Sequence, residues 1–244
     1  MRCAGALTQA GQRVTVIEAA AELGGRARTV VHAHQHFDNG QHLLLGAYHA
    51  VRELLTQLEV APDTVLLRTP LDLSWRSPLG YTCRFSPPAL RAPWHIALGF
   101  LLANGYTVAE RYSALRLCLA LARSRFHLAN DLPLATWLKQ QQQPASLIKK
   151  LWEPLCLAAL NTPITHASSA VFVKVLATSF AHRPADSELL FPRVNLSAVL
   201  PHAARQFIEA RGGQVLANTR VIALEGASHR VNGVRTSRDI FSAD

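Results

Sequence analysis

Residues 13–29 read RVTVIEAAAELGGRART and carry the strongest structural signal in the chain. Residues 13–17 are rich in β-branched side chains, which predicts a short buried strand of a parallel sheet. The strand ends on an acid, Glu18. In a dinucleotide-binding unit, an acid at the carboxyl end of the second strand accepts hydrogen bonds from the ribose hydroxyls of the adenosine. The segment therefore predicts an α/β fold with a nucleotide site.

A paired-glycine turn follows the acid. Gly24 and Gly25 lack Cβ atoms, so their backbone can approach a ligand closely. Arg26 and Arg28 bring positive charge to the same turn, and guanidinium groups pair well with phosphate oxygens. Together with Glu18, these four residues predict a site for the adenosine and diphosphate of a dinucleotide.

The segment before the strand lacks the glycine-rich phosphate turn of a complete unit. Residues 1–11 predict the later turns of a helix that ends at Gly11. The GxGxxG turn and the first strand would precede that helix. We therefore expect that the chain begins inside the nucleotide-binding unit, either because its start is misplaced or because it is a fragment.

Three motifs resemble those of one flavoprotein superfamily. The pattern Glu-x5-Gly-Gly-Arg-x-Arg-Thr, which begins at Glu18, resembles the flavin adenine dinucleotide (FAD) signature of the amine oxidase and phytoene desaturase superfamily. Residues 37–48, FDNGQHLLLGAY, and 151–163, LWEPLCLAALNTP, resemble its squalene-associated branch, the hydroxysqualene dehydroxylases of hopanoid biosynthesis. The resemblance covers essentially all 244 residues and corresponds to the front and middle of a family member.

The resemblance implies an incomplete Rossmann-like FAD-binding domain that carries an inserted substrate domain. Residues 1–64 would form the first part of the FAD-binding domain, and residues 191–244 would return to it. Residues 65–190 would form the substrate domain, largely helical with an antiparallel sheet. The expected class is α/β, with an α+β substrate region, and the chain would be truncated at both ends.

The resemblance also assigns site residues. FAD would be bound by Glu18, Gly24, Gly25, Arg26, Arg28, Asn39, Gly40, Gln41 and Val221. In this assignment Gly40 lets the backbone approach the isoalloxazine ring, and the backbone of Val221 lies against the adenine. Asp38, His42 and Glu153 are the candidate catalytic residues, as proton donors. An ordinary half-buried histidine is the alternative explanation of His42.

Residues 29–37 predict one extended segment on which His32, His34 and His36 alternate. Alternating residues share one face of a strand, and a histidine cluster can bind a metal. No acid or cysteine completes the ligand set. The pattern therefore favours a solvated strand edge and no metal site.

The composition is that of a globular protein, 49% hydrophobic and 17% charged, with a net charge of +9. The arginines are scattered, so the charge does not predict a nucleic-acid partner. An anionic cofactor or an anionic membrane surface fits better, and an Arg-rich composition without a partner is the alternative. The four cysteines form no CxxC pair, which predicts reduced thiols in a cytoplasmic protein. No stretch reaches the roughly 18 apolar residues of a membrane-spanning helix.

The middle of the chain predicts strands followed by helices. One antiparallel sheet is expected from strands at 65–67, 71–75 and 81–85, and helices are expected at 47–58, 89–104, 108–126, 134–142, 145–160 and 166–180. Asp131 would cap the helix at 134–142, and Pro154 would kink the helix at 145–160.

The last part of the chain predicts a helix and then strands. Asn195 would cap a helix at 196–211, which the pair Gly212-Gly213 ends before a strand at 214–224. The pair Asn232-Gly233 would form the turn of a β-hairpin.

The predicted helices between residues 89 and 180 are unusually apolar. Leucines and alanines leave the helix at 108–126 with little polar face, so it is either buried or faces an apolar ligand. Several such helices next to an FAD site could form a tunnel for a C30 isoprenoid. An exposed mouth around residues 94–102 could rest on a bilayer as a peripheral contact.

The resemblance implies removal of the hydroxyl group from hydroxysqualene to give squalene, with hydride delivered from reduced FAD. A carotenoid-type desaturase of the same superfamily, which transfers hydride from the substrate to the flavin, is one alternative. A non-catalytic remnant that holds no FAD is the other.

Overall fold

Two units make up the chain in the computed structural model, which describes residues 2–40, 42–76, 80, 82–92, 94–227 and 229–242. Unit 1 comprises Met1–Leu44, Tyr48–Arg68 and Leu190–Asp244, and unit 2 comprises Leu45–Ala47 and Thr69–Leu189. Both helices and strands are present, as the predicted α/β class requires. The roles assigned to residues 1–64, 65–190 and 191–244 remain predictions.

Short helices and short strands follow one another along the chain. The helices are α1 (Arg2–Gln9), α2 (His49–Gln57), α3 (Pro62–Val65), α4 (Trp94–Leu102), α5 (Val108–Arg123), α6 (Leu134–Gln140), α7 (Ala145–Leu147), α8 (Glu153–Leu160), α9 (Ser169–Phe180), α10 (Leu196–Val199) and α11 (Pro201–Glu209). A π-helical turn, Ile148–Trp152, joins α7 to α8, and Pro184–Ser187 forms a 3₁₀ turn. The strands are β1 (Thr15–Ile17), β2 (Thr29–His32), β3 (Gln35–Asp38), β4 (Leu44–Leu45), β5 (Leu66–Thr69), β6 (Leu73–Arg76), β7 (Thr82–Phe85), β8 (Leu189–Pro192), β9 (Gln214–Leu216), β10 (Val221–Ala227), β11 (Arg230–Thr236) and β12 (Ile240–Ser242).

The parallel pair of β1 and β9 lies at the centre of unit 1. Thr15 pairs with Gln214, and Ile17 pairs with Leu216. A small apolar core joins α1 and α11 to this pair and consists of Ala4, Leu23, Ile208 and Val215. α1 is followed by Gly11, whose φ of +80° suits a residue without a Cβ, so the predicted helix end is confirmed.

β2 and β3 form a hairpin, so the predicted single extended segment at 29–37 is wrong. Ala33 and His34 form the turn with φ of +48° and +63°. Two left-handed residues in a row give a turn whose twist matches that of the strands. His34 therefore lies in the turn, and His32, His34 and His36 do not share one strand face. Among the described residues, no three His, Cys, Asp or Glu side chains form a group that could hold a metal.

The helix predicted at 196–211 is two helices, α10 and α11. Asn195 caps α10 as predicted, because its side-chain oxygen accepts a hydrogen bond from the Ala198 N–H (2.9 Å). The interruption lies at Leu200, with φ of −134°, directly before Pro201. A proline fits the first position of a new helix, where no N–H is needed. The helix predicted at 47–58 is confirmed as α2.

The predicted turn at Asn232-Gly233 is wrong, because both residues lie inside β11. β11 pairs with β10 from Thr236 to Arg230 on one side and with β12 on the other. As the central strand of three, it satisfies its backbone groups on both edges, and this pairing overrides the local turn preference of Asn-Gly. The strand predicted at 214–224 is also two strands, β9 and β10, with Asn218 at φ +52° between them.

The single antiparallel sheet predicted between residues 65 and 85 is wrong. β6 and β7 form an antiparallel hairpin in unit 2, in which Leu73 pairs with Phe85. β5 instead joins a three-stranded sheet of order β4-β8-β5. Its Leu66 is buried with Leu55, Leu190 and Val199 in a core of unit 1. Burial of Leu66 against these residues explains why β5 does not pair with β6 and β7.

Pro154, where a kink was predicted, is the second residue of α8 and lies two residues after the end of the π-helical turn. Proline has no N–H for the carbonyl four residues earlier, which belongs to Lys150. That carbonyl accepts a long hydrogen bond from the Tyr106 hydroxyl instead (3.5 Å). Four of the five helices predicted between residues 89 and 180 are present with shorter bounds, and the one predicted at 145–160 is divided into α7, the π-helical turn and α8. Within the described ranges, none of the helices combines the length and the hydropathy that a membrane span requires.

Asp131 caps α9, not α6, so this prediction is wrong. Its carboxylate accepts hydrogen bonds from the Ala170 N–H (3.0 Å) and the Ser168 hydroxyl (2.8 Å). These bonds, led by the one from Ala170, lower the pKa of Asp131. α6 begins after Pro133, and no side chain of the described residues caps it. At the start of α6 the Leu134 and Ala135 N–H groups already donate to the Ala167 and Ile164 carbonyls, whereas the start of α9 offers Asp131 a backbone N–H and two hydroxyl groups.

Glu110 forms a buried ion pair between α5 and the π-helical turn. It is 3% exposed, accepts a hydrogen bond from the Thr107 N–H (2.8 Å) and lies 3.1 Å from Lys150 Nζ. Burial raises the pKa of Glu110, but hydrogen bonds from Ser146 and Thr107 and the charge of Lys150 outweigh it. The net effect lowers the pKa. The ionised carboxylate therefore stabilises the fold.

We expect Glu110→Ala to lower the free energy of unfolding by about 3 kcal/mol near neutral pH, because it removes the Glu110 half of the capping box at the start of α5 and the carboxylate that faces Lys150. Since the folded-state pKa is lowered, this contribution is complete above the ordinary carboxyl pKa of about 4.3 and is lost as the pH falls below it. Urea denaturation near neutral pH, and again below the carboxyl pKa of about 4.3, measures the change. Glu209→Ala, which removes an exposed pair with Arg205, is the control and should cost about 0.4 kcal/mol. Equal losses for the two variants would contradict the assignment.

Candidate functional site

Glu18 lies at the carboxyl end of β1, as the sequence predicts. Its N–H donates to the Leu216 carbonyl (2.9 Å), which continues the pairing of β1 with β9. One carboxylate oxygen accepts from the Ala20 N–H (2.8 Å), and the Glu18 carbonyl accepts from the Thr219 N–H (2.9 Å). The acid is thus held beside the segment that leads into Val221, the half-exposed first residue of β10.

The paired glycines have different structural roles. Gly24 and Gly25 have φ of +107° and +58°, and the Ala27 N–H closes the turn on the Gly24 carbonyl (3.0 Å). A Cβ on Gly24 would lie 2.7 Å from the Ala27 carbonyl oxygen, whereas a Cβ on Gly25 would meet no atom within 4 Å in the part of the chain that the structure describes. The fold therefore requires Gly24, and Gly25 faces open space where a ligand can approach.

The two arginines of the turn are braced by Asn39. Its side chain donates to the Arg26 carbonyl (3.1 Å), and its N–H donates to the Arg28 carbonyl (2.8 Å). Arg28 Nε is buried and has no hydrogen-bond partner among the described residues. A buried donor without an acceptor costs about 1–3 kcal/mol. A bound anion would satisfy this donor.

Asp38 joins the β2–β3 hairpin to the start of α10. Its Oδ1 accepts from the Thr29 hydroxyl (2.7 Å) and the Leu196 N–H (3.0 Å). Thr29 and Ser197 exchange two further bonds, from the Thr29 N–H to the Ser197 hydroxyl and from the Ser197 N–H to the Thr29 hydroxyl. The sequence analysis did not assign these bracing roles to Thr29 and Ser197. Thr29 is the last residue of the Arg-x-Arg-Thr motif and could have been singled out there.

A groove of ≈ 720 Å³ in unit 1 brings several predicted residues together. Asp38, Gly40 and His42 line it, and so do residues Phe191–Leu196, which come much later in the sequence. Gly40 has φ of +90°, and a Cβ there would meet no atom of the described residues within 4 Å. His42 Nε2 lies 3.4 Å from the Asn39 carbonyl. Gln41, which was predicted to bind FAD, lies outside the described residues.

Glu153, the third predicted catalytic residue, belongs to unit 2. It is the half-buried first residue of α8 and precedes Pro154, which lines a cavity in that unit. Asp38 and His42 belong to unit 1. The structure thus brings together two of the three candidates in one groove.

The cavity of unit 2 has a volume of ≈ 430 Å³ and walls from β6, β7, α4, α5, α8 and α9. Every described residue that lines it is apolar, among them Trp75, Phe100, Leu119 and Leu155. Its one thiol, Cys118, is neutral, because burial raises the pKa to about 12. Sequence reasoning predicted apolar walls from the helices, and β6 and β7 add Leu73, Trp75 and Phe85 to them.

The geometry of unit 1 fits a bound dinucleotide. The second carboxylate oxygen of Glu18 remains available to ribose hydroxyls. The unsatisfied Nε of Arg28 suits a diphosphate oxygen, and the open space beside Gly25 allows a close approach. These residues would hold the adenosine and diphosphate of FAD.

We expect Gly25→Ala to weaken FAD binding by at least about tenfold, because a Cβ would occupy the space of the ligand. Its cost to folding should be only about 1 kcal/mol, since only the left-handed backbone is penalised. Gly212→Ala is the matched control, because Gly212 also has a positive φ and open surroundings but follows α11. Quenching of flavin fluorescence and thermal melting measure the two effects. Equal FAD affinities of the two variants would contradict the placement of the ligand.

Comparison with known proteins identifies relatives in one group of flavoproteins. The chain is 28% identical over 224 residues to a hydroxysqualene dehydroxylase from Zymomonas mobilis subsp. mobilis, covering 86% of this chain and 49% of that protein. It thus spans about half the length of this curated relative.

Solved structures share the fold. A crystal structure of an oxidoreductase from Methanosarcina mazei superposes with a TM-score of 0.72 at 16% identity, over 99% of this chain and 54% of that one. Wild-type putrescine oxidase bound to putrescine superposes with a TM-score of 0.63 at 18% identity, over 98% of this chain and 53% of that one. These likenesses confirm the predicted fold class.

The family model described as flavin containing amine oxidoreductase matches residues 1–244. The predicted flavin cofactor is confirmed as the one that this family carries. The chain belongs to the family of flavin-containing amine oxidoreductases.

Proposed function

We propose that the protein acts on a long isoprenoid with the help of FAD, and that its reaction is the reductive removal of the hydroxyl group from hydroxysqualene to give squalene. The apolar cavity of unit 2 is the observation that carries this proposal. FAD would be held in unit 1 by Glu18, the Gly24-Gly25 turn and Arg28.

The lining of the cavity favours a hydrocarbon over an amine. A volume of ≈ 430 Å³ lies within the range of small-molecule sites. Moving apolar surface from water into such walls contributes about 25 cal/mol per Å², so a long isoprenoid gains several kcal/mol. A cationic amine would lose its hydration, and no described lining residue carries a carboxylate to replace it.

The similarity to the Zymomonas mobilis hydroxysqualene dehydroxylase supports this particular reaction. Residues 37–48 and 151–163 also resemble motifs of that branch. Because the chain spans 49% of the relative, the activity of the whole protein is part of the proposal.

The reaction consumes two electrons and two protons. A hydride equivalent forms the new C–H bond, and the hydroxyl gains a proton and leaves as water. Bound, reduced flavin supplies the hydride equivalent. The residues of the chain then have three tasks, which are to exclude water, to orient the allylic carbon and to donate the proton.

His42 is the first candidate for the proton donor. It lines the groove of unit 1, and its contact with the Asn39 carbonyl is long, at 3.4 Å, so a ligand can replace it. Asp38 already accepts bonds from Thr29 and Leu196, which gives it a structural role as well. Glu153 remains the candidate from unit 2, one residue before the cavity wall at Pro154.

Product analysis with the flavin-loaded protein and a chemical reductant tests the proposed reaction. Hydroxysqualene should be converted to squalene, and phytoene should not be desaturated. A flavin-loaded protein that leaves hydroxysqualene unchanged, or that desaturates phytoene, would contradict the proposal. A protein that takes up no flavin would support a non-catalytic role instead.

His42→Ala should reduce dehydroxylation by about 100-fold or more, which is the usual contribution of a general acid, while the flavin absorbance stays unchanged. His36→Ala, an exposed histidine of β3, is the control and should keep full activity. If His42→Ala turns over as fast as the control, His42 is not the donor.

Ala158→Trp should raise KM for hydroxysqualene by about tenfold or more, because the indole would fill part of the cavity that Ala158 lines. Ala159→Trp is the matched control, since Ala159 is the next residue of α8, is exposed and does not line the cavity. Steady-state kinetics compare the two variants. Equal KM values would exclude the cavity as the substrate site.

A further inference from the structure

Unit 2 carries an exposed apolar surface on α4 and α5, which we call the α4–α5 face. Its members are Trp94, Leu101 and Leu102 on α4 and Val108, Tyr112 and Leu119 on α5. Trp94, Leu102 and Tyr112 are 65%, 59% and 67% exposed. Contiguous apolar surface on a protein marks an interaction site, whereas single exposed apolar residues are ordinary.

The spacing of these residues makes the surface contiguous. On α4, Leu101 and Leu102 lie seven and eight residues after Trp94. On α5, Tyr112 lies four residues after Val108, and Leu119 lies seven residues after Tyr112, so each set follows one side of its helix. α4 packs on α5. The Arg111 guanidinium on α5 donates to the Leu101 carbonyl at the end of α4 (2.9 Å), which ties the two stripes together.

The α4–α5 face borders the apolar cavity. Trp94 and Leu119 are exposed to solvent and also line the cavity. Ala97 and Leu115 continue the wall inward from the same two helices. The cavity wall and the outer apolar surface are therefore continuous on both α4 and α5.

Arginines are frequent in the part of the sequence that carries this surface. Five arginines lie within residues 91–125: Arg91, Arg111, Arg116, Arg123 and Arg125. The one acid in this part of the sequence is Glu110, which is buried and paired with Lys150. The region therefore combines exposed apolar groups with net positive charge.

We propose that the α4–α5 face docks on the surface of an anionic lipid bilayer. Its apolar side chains enter the boundary between headgroups and acyl chains, as those of interfacial helices do. The arginines lie among the lipid phosphates, where each cation strengthens binding. A second copy of the chain is a poorer partner, because a symmetric contact would bring the same arginines together.

When the α4–α5 face docks, the apolar wall of the cavity that continues from it comes into contact with lipid. An isoprenoid dissolved in the bilayer then reaches the cavity without exposing its whole chain to water. This role in substrate supply rests on the proposed function, whereas the docking itself does not.

Vesicle flotation of the whole protein tests the docking. The protein should float with vesicles of phosphatidylcholine and phosphatidylglycerol, and less with phosphatidylcholine alone. High salt should weaken the binding, because it screens exposed charges. Absence of binding to the anionic vesicles would overturn the proposal.

Two variants locate the docking surface. Leu102→Glu and Tyr112→Glu should each weaken vesicle binding by at least about tenfold, because a carboxylate would meet lipid phosphates and acyl chains. Val171→Glu is the matched control, since Val171 is 51% exposed on α9 in the same unit. It should bind like the wild type. Equal binding by all three variants would overturn the proposal.

Charge removal gives an independent test that does not depend on how an introduced glutamate affects folding. Arg123→Gln and Arg125→Gln should each reduce vesicle binding about fivefold. Lys174→Gln, an exposed cation on α9, should leave it unchanged. Equal effects at all three positions would show attraction by net charge alone and would overturn the assigned face.

Two further measurements separate the alternatives. Sedimentation without lipid that shows dimers, which Tyr112→Glu dissociates, together with no vesicle binding, would overturn the bilayer in favour of a second copy. Vesicle binding by a flavin-loaded protein that does not convert hydroxysqualene would support the docking and contradict the proposed function.

Discussion

The parallel pairing of β1 with β9 is the constraint on which unit 1 depends. It joins strands from opposite ends of the chain, and the entropy lost on closing so long a loop grows only slowly with its length. The pairing requires Gly213, because a Cβ there would lie 2.7 Å from the Val14 carbonyl oxygen. The pairing also fixes the position of Glu18, because the backbone of Glu18 is hydrogen-bonded to Leu216 and Thr219. The adenosine side of the candidate site is therefore a consequence of strand pairing.

In unit 2, apolar side chains form the core, the cavity wall and part of the exposed surface. α5 buries Ala114 and Leu117 in its core, lines the cavity with Leu115, and exposes Tyr112. A helix with apolar residues on all these sides has little amphipathic pattern, so sequence alone could not assign the faces. The buried pair of Glu110 with Lys150 ties the start of this helix to the π-helical turn. The elements around the cavity are thus joined by an ion pair at the π-helical turn.

Features with local causes could be predicted from the sequence, and features decided by distant partners could not. The helix end at Gly11 and the cap at Asn195 depend on neighbouring residues, and both predictions are confirmed. The turn at Ala33 uses non-glycine residues with positive φ, for which the sequence has no distinct signal. Gly233 lies inside β11 because it pairs with β12, and Asp131 bonds to the start of α9 and not to the nearby α6. In both cases a partner distant in sequence outweighed the local preference. The acid and glycine turn of the candidate site were predictable, whereas the bracing by Ser197 and Thr219 depends on the fold.

The comparative affinity for FAD and flavin mononucleotide tests the central claim most directly. Glu18 and Arg28 are assigned to the adenosine and diphosphate, which flavin mononucleotide lacks wholly or in part. Calorimetric titration should therefore show that flavin mononucleotide binds at least about 100-fold more weakly than FAD. Equal affinity for the two flavins, or no affinity for FAD, would contradict the assignment of unit 1 as the dinucleotide site.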